Sequence, residues 1–195
     1  MPKSAWSRFA ERLLFARNFF RHPYMLGSIV PSSRFLVNQV LQPVDWARAR
    51  VIVEYGPGVG TFTGEILRRM DREAHLVVIE TNQEFVRFLR GSLQDPRLHV
   101  EHGSAADVQS ILQRLGLPLA DYIISGIPLG SMPDALRTNI VANSRAALAP
   151  GGGFLVYQFT SRVLPVLQRI FGEVRHSVVP RNIPPARLFV CANGS

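Results

Sequence analysis

The sequence contains one cysteine, Cys191, and one lysine, Lys3. A lone thiol excludes an intramolecular disulfide and a zinc site built from cysteines, and such usage fits the cytosol. No metal is expected. No apolar run approaches the roughly 18 residues that a membrane-spanning helix needs. Lys3, Arg8, Glu11 and Arg12 also interrupt the place where a signal-peptide core would lie. Any contact with a bilayer is therefore expected to be peripheral. Acidic residues are scarce as well, 14 Asp and Glu against 22 Lys and Arg, for a net charge of +8. That surplus points to an anionic partner surface, nucleic acid or acidic lipid, and does not separate the two. With 195 residues, 47% of them apolar, the chain can bury a real core as one domain with a small extension.

Beyond residue 50, short apolar runs alternate with amphipathic stretches. The runs are Val51-Ile52-Val53, Leu76-Val77-Val78-Ile79, Tyr122-Ile123-Ile124 and Phe154-Leu155-Val156-Tyr157. This order reads as βαβ units and a parallel sheet. Residues 97–101 supply a shorter strand. Residues 173–179 and 188–192 form two more, joined by a connection too short for a crossover helix, so this pair is predicted to be antiparallel. The expected fold is an α/β sheet of seven strands, mostly parallel, with one strand reversed and helices on both faces.

Residues 1–22 differ from the rest, carrying Lys3, Arg8, Arg12, Arg17 and Arg21 against only Glu11. Wound as a helix, Trp6, Phe9, Ala10, Leu13, Ala16 and Phe20 share one side, and Arg8, Glu11 and Arg12 lie opposite. Phe15 and Phe19 fall on the polar side. Arg17 lies within the apolar arc, where its stem can snorkel. A basic helix with this aromatic content is a membrane-surface signature; packing onto the sheet domain, residues 23–195, is the other reading.

The stretch Glu54-Tyr55-Gly56-Pro57-Gly58-Val59-Gly60-Thr61 follows the first strand and precedes a helical pattern. Glycines in that setting make a tight turn and let the backbone approach a ligand. Glu80 ends the next strand, where a carboxylate can accept both hydroxyls of a ribose. A carboxylate at Glu54 would repel a pyrophosphate, so a dinucleotide fits poorly. It suits instead a ligand with a cationic amino group and no phosphate, such as S-adenosylmethionine. The stretch thus resembles motif I of the class I methyltransferases that use this donor, which implies a Rossmann-like fold. In that class the adenine is held after the third strand. Here the place reads Gly103-Ser104-Ala105-Ala106-Asp107, with Ser104 where Asp is commoner, so Ser104 and Ala105 are the expected contacts.

After the fourth strand comes Ser125-Gly126-Ile127-Pro128-Leu129, at the position of the acceptor loop in amino-methyltransferases. Enzymes that methylate base amines carry an aromatic there to stack the extruded base. This loop offers Leu129 and then Gly130, which counts against a nucleobase.

Several further stretches narrow the resemblance. They are His22-Pro23, Gly27-Ser28 and Pro31-Ser32-Ser33, then Gln158-Phe159-Thr160 and Arg181-Asn182-Ile183-Pro184-Pro185-Ala186. With the glycine and acceptor loops they resemble the bacterial phospholipid N-methyltransferases in order along nearly the whole chain. Ser104, and Ser161 where an aromatic is expected, depart from the pattern. The resemblance implies stepwise methylation of phosphatidylethanolamine toward phosphatidylcholine. It places the enzyme peripherally at the inner leaflet of the cytoplasmic membrane with no nucleic-acid partner; a monomer is expected, though the sequence does not fix the oligomeric state. Cofactor contacts are expected from Ser32, Ser33, Glu54, Gly56, Gly58, Thr61, Glu80, Ser104, Ala105 and Ser125.

A headgroup amine has a pKa near ~10 and must lose its proton before it can attack a methyl group. The acceptor site is expected from Tyr24, Ser125, Gly126, Ile127 and Pro128, with a backbone carbonyl orienting the amine and Tyr24 or Tyr157 offering cation–π attraction. Arg34, Leu129, Tyr157, Gln158, Arg181, Asn182 and Arg187 are the expected substrate contacts, the arginines for phosphate. Trp6, Phe9, Arg12, Leu13, Arg17 and Phe20 would meet the bilayer. The alternatives are an RNA adenine N6-dimethyltransferase and a noncatalytic lipid-binding module. Intact Glu54, Gly56, Gly58 and Glu80 argue against the second.

Overall fold

The computed structural model describes residues 34–180, 182 and 184–194. Among these, seven strands form one sheet: β1 (Val51–Tyr55), β2 (His75–Glu80), β3 (Leu98–His102), β4 (Ala120–Ser125), β5 (Leu148–Gln158), β6 (Val174–Val179) and β7 (Ala186–Ala192). Their order is β3-β2-β1-β4-β5-β7-β6. The pairings among β1 to β5 are parallel, whereas β7 runs antiparallel to both β5 and β6. The expected sheet with one reversed strand is therefore found. The last two strands differ from the expected ranges at their starts. Pairing of Val179 with Ala186 carries the β6–β7 ladder two residues nearer the turn than hydrophobicity alone suggests.

Six helices cover the sheet: α1 (Arg34–Leu41), α2 (Thr61–Arg69), α3 (Gln83–Ser92), α4 (Val108–Arg114), α5 (Asp134–Ala147) and α6 (Leu164–Phe171). Strand alternation divides the core into two layers. Ile124 and Leu155 pack with Leu36 and Val40 of α1, Ile66 of α2 and Leu89 of α3. Ile123, Phe154 and Val156 pack with Val108 of α4, Ile140 of α5 and Leu167 of α6. All five residues of β1 are buried, as a central parallel strand covered on both faces requires.

Chain order reverses at β1, which leads to β2 on one side and has β4 on the other. In open α/β sheets a crevice forms at that switch point, outside the carboxyl ends of the strands. That end of this sheet holds the glycine loop, Glu80, the 103–105 turn and the acceptor loop. Among the described residues no helix is long and apolar enough to cross a membrane. Residues 1–22, with Trp6, Phe9, Arg12, Leu13, Arg17 and Phe20, lie outside the described residues, as do Tyr24, Ser32, Ser33 and Arg181.

Candidate active site

A crevice of about 350 Å³ opens at the switch point. The loop after β1 contributes Gly56 and Gly58, and the end of β2 contributes Glu80, Thr81 and Asn82. The turn after β3 adds Ser104 and Ala105, and the loop after β4 adds Gly126, Ile127 and Pro128. Four strand ends thus bring together the expected residues that are most distant in sequence.

Glu80 is 8% exposed, and its carboxylate is fixed from two sides. Oε1 accepts the backbone N–H of Asn82 at 2.9 Å, and Oε2 lies 3.4 Å from the N–H donor of Gly58. Asn82 in turn caps α3, its side chain accepting the N–H of Glu84 at 2.8 Å. The same short segment therefore starts a helix and aims a carboxylate into the crevice. Ser104 does the equivalent after β3, accepting the N–H of Ala106 at 3.1 Å as it caps the 105–107 turn. Phe85, Ile127 and Ile140 give the crevice apolar walls.

Gly56 has φ +67°, and a Cβ there would stand 2.7 Å from Ile127 Cγ2. Glycine is needed twice over, for the left-handed turn and for the close approach of the cofactor loop to the acceptor loop. Glu54 lies just before this turn, buried, and does not line the crevice. Thr63 Oγ1 donates to its Oε2 at 2.7 Å. Burial pushes the Glu54 carboxyl up to about 8; the Thr63 hydrogen bond opposes this and the charge of Glu80 adds to it. Glu54 is thus mostly protonated at neutral pH until a cation comes near.

The acceptor loop is braced from β5. Gln158 is buried and spans the loop: its Nε2 donates to the carbonyl of Ile127 at 2.7 Å and its Oε1 accepts the N–H of Gly130 at 3.2 Å. Its amide is occupied in this way, so Gln158 positions the loop and does not bind substrate as expected. Tyr157 stacks one ring face on Phe62, with centroids 5.0 Å apart. Its hydroxyl edge meets Gly126, where an added Cβ would lie 2.3 Å from the phenolic oxygen. Tyr157 therefore presents a hydroxyl to the loop, not the open ring face that cation–π attraction requires.

Six more expected residues are corrected. Leu129 is fully buried in the core beneath α4 and α5, because the 129–131 turn points it inward, and it cannot touch substrate. Ser125 is fully buried between Tyr55 and Val156 in the sheet register, so its side chain does not reach the crevice. Asn182 is 2% exposed and donates to the carbonyl of Pro184 at 2.8 Å, which makes it a turn residue. Thr61 and Arg34 line a different cavity, between α1 and α2, because Thr61 sits on the outer face of the first turn of its helix. Arg187, half-buried in β7 and paired with Gln158, does not line the crevice and makes no ion pair among the described residues.

Sequence reasoning missed Thr63, Asn82, Phe85, Met132, Leu136 and Ile140. Asn82 carried a signal: Thr81-Asn82-Gln83-Glu84 after a strand is a helix-start pattern. The apolar four did not, since apolar residues at such spacing match any core-facing side.

Comparison with known proteins agrees with this geometry. The family model described as ribosomal RNA adenine dimethylase matches residues 21–114. An ornithine lipid N-methyltransferase of Singulisphaera acidiphila is 34% identical over 186 residues, covering 91% of this chain and 94% of that protein. A ribosomal RNA small subunit methyltransferase A of Mycoplasma mycoides is 32% identical over 97 residues, 48% of this chain and 34% of that enzyme. Among solved structures, N-methyltransferase NodS from Bradyrhizobium japonicum in complex with S-adenosyl-L-homocysteine has a TM-score of 0.68 at 16% identity, covering 84% of this chain and 89% of that one.

The chain belongs to the class I S-adenosylmethionine-dependent methyltransferases, in the family of the Singulisphaera enzyme, and S-adenosylmethionine is its methyl donor. The residues present suit that donor. Glu80 offers a fixed carboxylate for ribose hydroxyls, and space is open above Gly58, where a Cβ would meet nothing within 4 Å. The apolar walls accept a flat ring beside the Ser104 hydroxyl. Among the described residues no three His, Cys, Asp or Glu side chains gather as a metal site requires.

Proposed function

We propose that this enzyme methylates the headgroup amine of a membrane aminolipid, working from the bilayer surface. The observation that carries the reading is the identity of 34% across 91% of the chain to an enzyme named for ornithine lipid. A match that wide takes in the acceptor half of the chain as well as the cofactor half. Phosphatidylethanolamine and its methylated intermediates, toward phosphatidylcholine, are the acceptors that the C-terminal motifs imply. Ornithine lipid is the acceptor in the relative's name. Both present one primary amine close to an anionic group, so one site chemistry serves either.

The donor supplies a sulfonium-bound methyl group to an attacking lone pair. This chain's residues must therefore deliver a neutral amine in line with that methyl. Gly126, Ile127 and Pro128 form the wall between the crevice and the incoming headgroup, held by Gln158. The Tyr157 hydroxyl, against Gly126, orients the amine by hydrogen bonding together with the loop carbonyls. Glu80 and Ser104 hold the nucleoside, and Glu54 answers the cationic amino group. The N-terminal basic segment supplies the contact with anionic lipid at the inner leaflet.

Support for an RNA acceptor comes from residues 21–114, which end before the acceptor loop begins. That loop has no stacking ring, and Leu129 is buried.

The test is incubation with labelled S-adenosylmethionine and, in parallel, vesicles of phosphatidylethanolamine, vesicles of ornithine lipid, and RNA. Label in either lipid is the expected result, and the one that takes it names the acceptor. Label in RNA alone, or in none of the three, overturns the reading.

A further inference from the structure

A second cavity, of about 470 Å³, lies between α1 and α2 and shares no lining residue with the cofactor crevice. Its polar lining is Arg34, Asn38, Thr61, Glu65, Arg68 and Arg69. Three arginines and a single carboxylate thus line one cavity.

That carboxylate is already engaged. Glu65 accepts from Arg68 Nε at 2.9 Å and from a second Arg68 nitrogen at 2.6 Å, and Arg69 Nε donates to it at 2.7 Å. These partners hold its carboxyl down to about 2, so it stays ionised and pins two arginines side by side. Arg69 is further fixed by donating to Asn38 and by lying over the Trp46 ring, 5.9 Å from its centroid. Arg34 makes no ion pair among the described residues. One carboxylate against three guanidiniums leaves the cavity with an uncompensated charge of about two units, and Arg68 and Arg69 are held in place before any ligand arrives. Thr61 adds a hydroxyl on the same face.

The Arg34 fork can give a tetrahedral oxyanion two parallel hydrogen bonds, and the guanidinium nitrogens of Arg68 and Arg69 not given to Glu65 or Asn38 can add to them beside the Thr61 hydroxyl. Phe35, next to Arg34, is 51% exposed. An exposed aromatic beside a cation is the pairing found where a protein meets lipid headgroups. We propose that the α1–α2 cavity binds a phosphate oxyanion, carried by an anionic membrane phospholipid or free in solution. This site is separate from the methyl-transfer crevice, and the inference does not depend on which amine is methylated.

The experiment compares the full chain with the double variant Arg34→Gln, Arg68→Gln. Inorganic phosphate is titrated by calorimetry, and binding is measured to phosphatidylcholine vesicles with and without phosphatidylglycerol. Affinity for S-adenosylhomocysteine checks that the variant is folded, since neither arginine lines that crevice. Each arginine near a charged surface is worth roughly fivefold, so the double variant should lose about twenty-five-fold, and the loss should shrink as salt is raised. Weaker binding to both phosphate and phosphatidylglycerol vesicles supports the site with lipid as its source. Weaker phosphate binding with unchanged vesicle binding supports the site with a soluble source. Unchanged affinity for both, in a variant that still binds S-adenosylhomocysteine, overturns the proposal.

Discussion

Replacing Glu54 by Gln separates two effects that one buried carboxyl couples. Glu54 is 3% exposed, and its carboxyl is pushed up to about 8, mainly by burial. At pH 7 it is therefore ionised in only about a tenth of molecules, since each pH unit below the pKa is tenfold. A ligand with a cationic amino group binds the ionised form better. Affinity is then reduced by the fraction of competent protein, about tenfold at pH 7 relative to a pH well above 8. The amino group of S-adenosylhomocysteine also titrates, so the quantity to follow is the ratio of wild-type to Glu54→Gln affinity at each pH. That ratio should grow about tenfold from pH 7 to pH 9, measured by calorimetry. Binding at pH 7 should also release about one proton from wild type and none from the variant, read from the dependence of heat on buffer ionisation.

Stability moves the opposite way. Because the folded value of about 8 lies above the ordinary 4.5, Glu54 favours the folded state fully only below the ordinary value. The contribution is lost as pH rises from there through 8. Gln keeps an acceptor for Thr63 and carries no charge, so Glu54→Gln should be more resistant to urea than wild type above pH 8 and no more resistant near pH 5. An affinity ratio that stays flat with pH, or no difference in proton release, would refute the assignment of Glu54 to the cationic end of the donor.

Three other perturbations bear on the acceptor side and on the sheet. Gly126→Ala places a Cβ 2.3 Å from the Tyr157 hydroxyl, so the loop must shift. A displacement of that kind should lower kcat about a hundredfold with little change in S-adenosylhomocysteine affinity; unchanged kcat would remove the loop from the chemistry. Gln158→Ala leaves the Gly130 N–H without its partner and removes one of the two donors to the Ile127 carbonyl, which keeps the Leu129 N–H, at a cost of about 1–3 kcal/mol. Its Tm and kcat should both fall, and an unaltered kcat would show that the loop holds its shape unaided. His75 Nδ1 and His99 Nε2 lie 3.1 Å apart, and the His99 imidazole is held below its ordinary 6.5, first by burial and then by His75. Its contribution is present above 6.5 and is lost as pH falls below it, so wild type should lose stability there faster than His99→Gln, and parallel urea midpoints across pH 5–7 would dismiss the pair as an acid-sensitive element.

The parts of this protein legible in its sequence are those where one physical constraint acts locally. Val51-Ile52-Val53 and Leu76-Val77-Val78-Ile79 are apolar on both faces because both faces are covered, and parallel strands follow. Glu54 to Gly60 reads as a cofactor loop because a strand, a left-handed turn and a helix start leave few alternatives to glycine. Misplaced residues are those whose direction depends on contacts far along the chain. Ser125 and Gly126 are adjacent, yet only Gly126 lines the crevice, because β4 ends between them and Ser125 still obeys the alternation of the sheet. Thr61 and Thr63 are separated by two positions on α2, which turns one outward to Arg34 and the other inward to Glu54. Spacing could not choose between them without the position of α1.

The stretch Gln158-Phe159-Thr160 shows how a motif can be right for a reason other than the one expected. It stands at the end of β5, next to the acceptor loop but not in it. Gln158 ties the Ile127 carbonyl to the Gly130 N–H, and Thr160 Oγ1 lies 3.1 Å from where a Cβ on Gly130 would stand. The motif is the other half of the acceptor loop, contributed by the neighbouring strand, and its residues set the loop's shape without touching the amine. A base-methylating enzyme of this fold can place an aromatic in the loop and stack its substrate. Here the loop is instead narrowed by glycines at both ends, 126 and 130, and each glycine is pressed by a β5-side group, Tyr157 or Thr160. Such a wall suits the slender headgroup amine proposed above better than a flat base. Acceptor choice in this chain therefore resides in the contact between two strand ends, β4 and β5, and substitutions there should alter which amine is methylated before they alter donor binding.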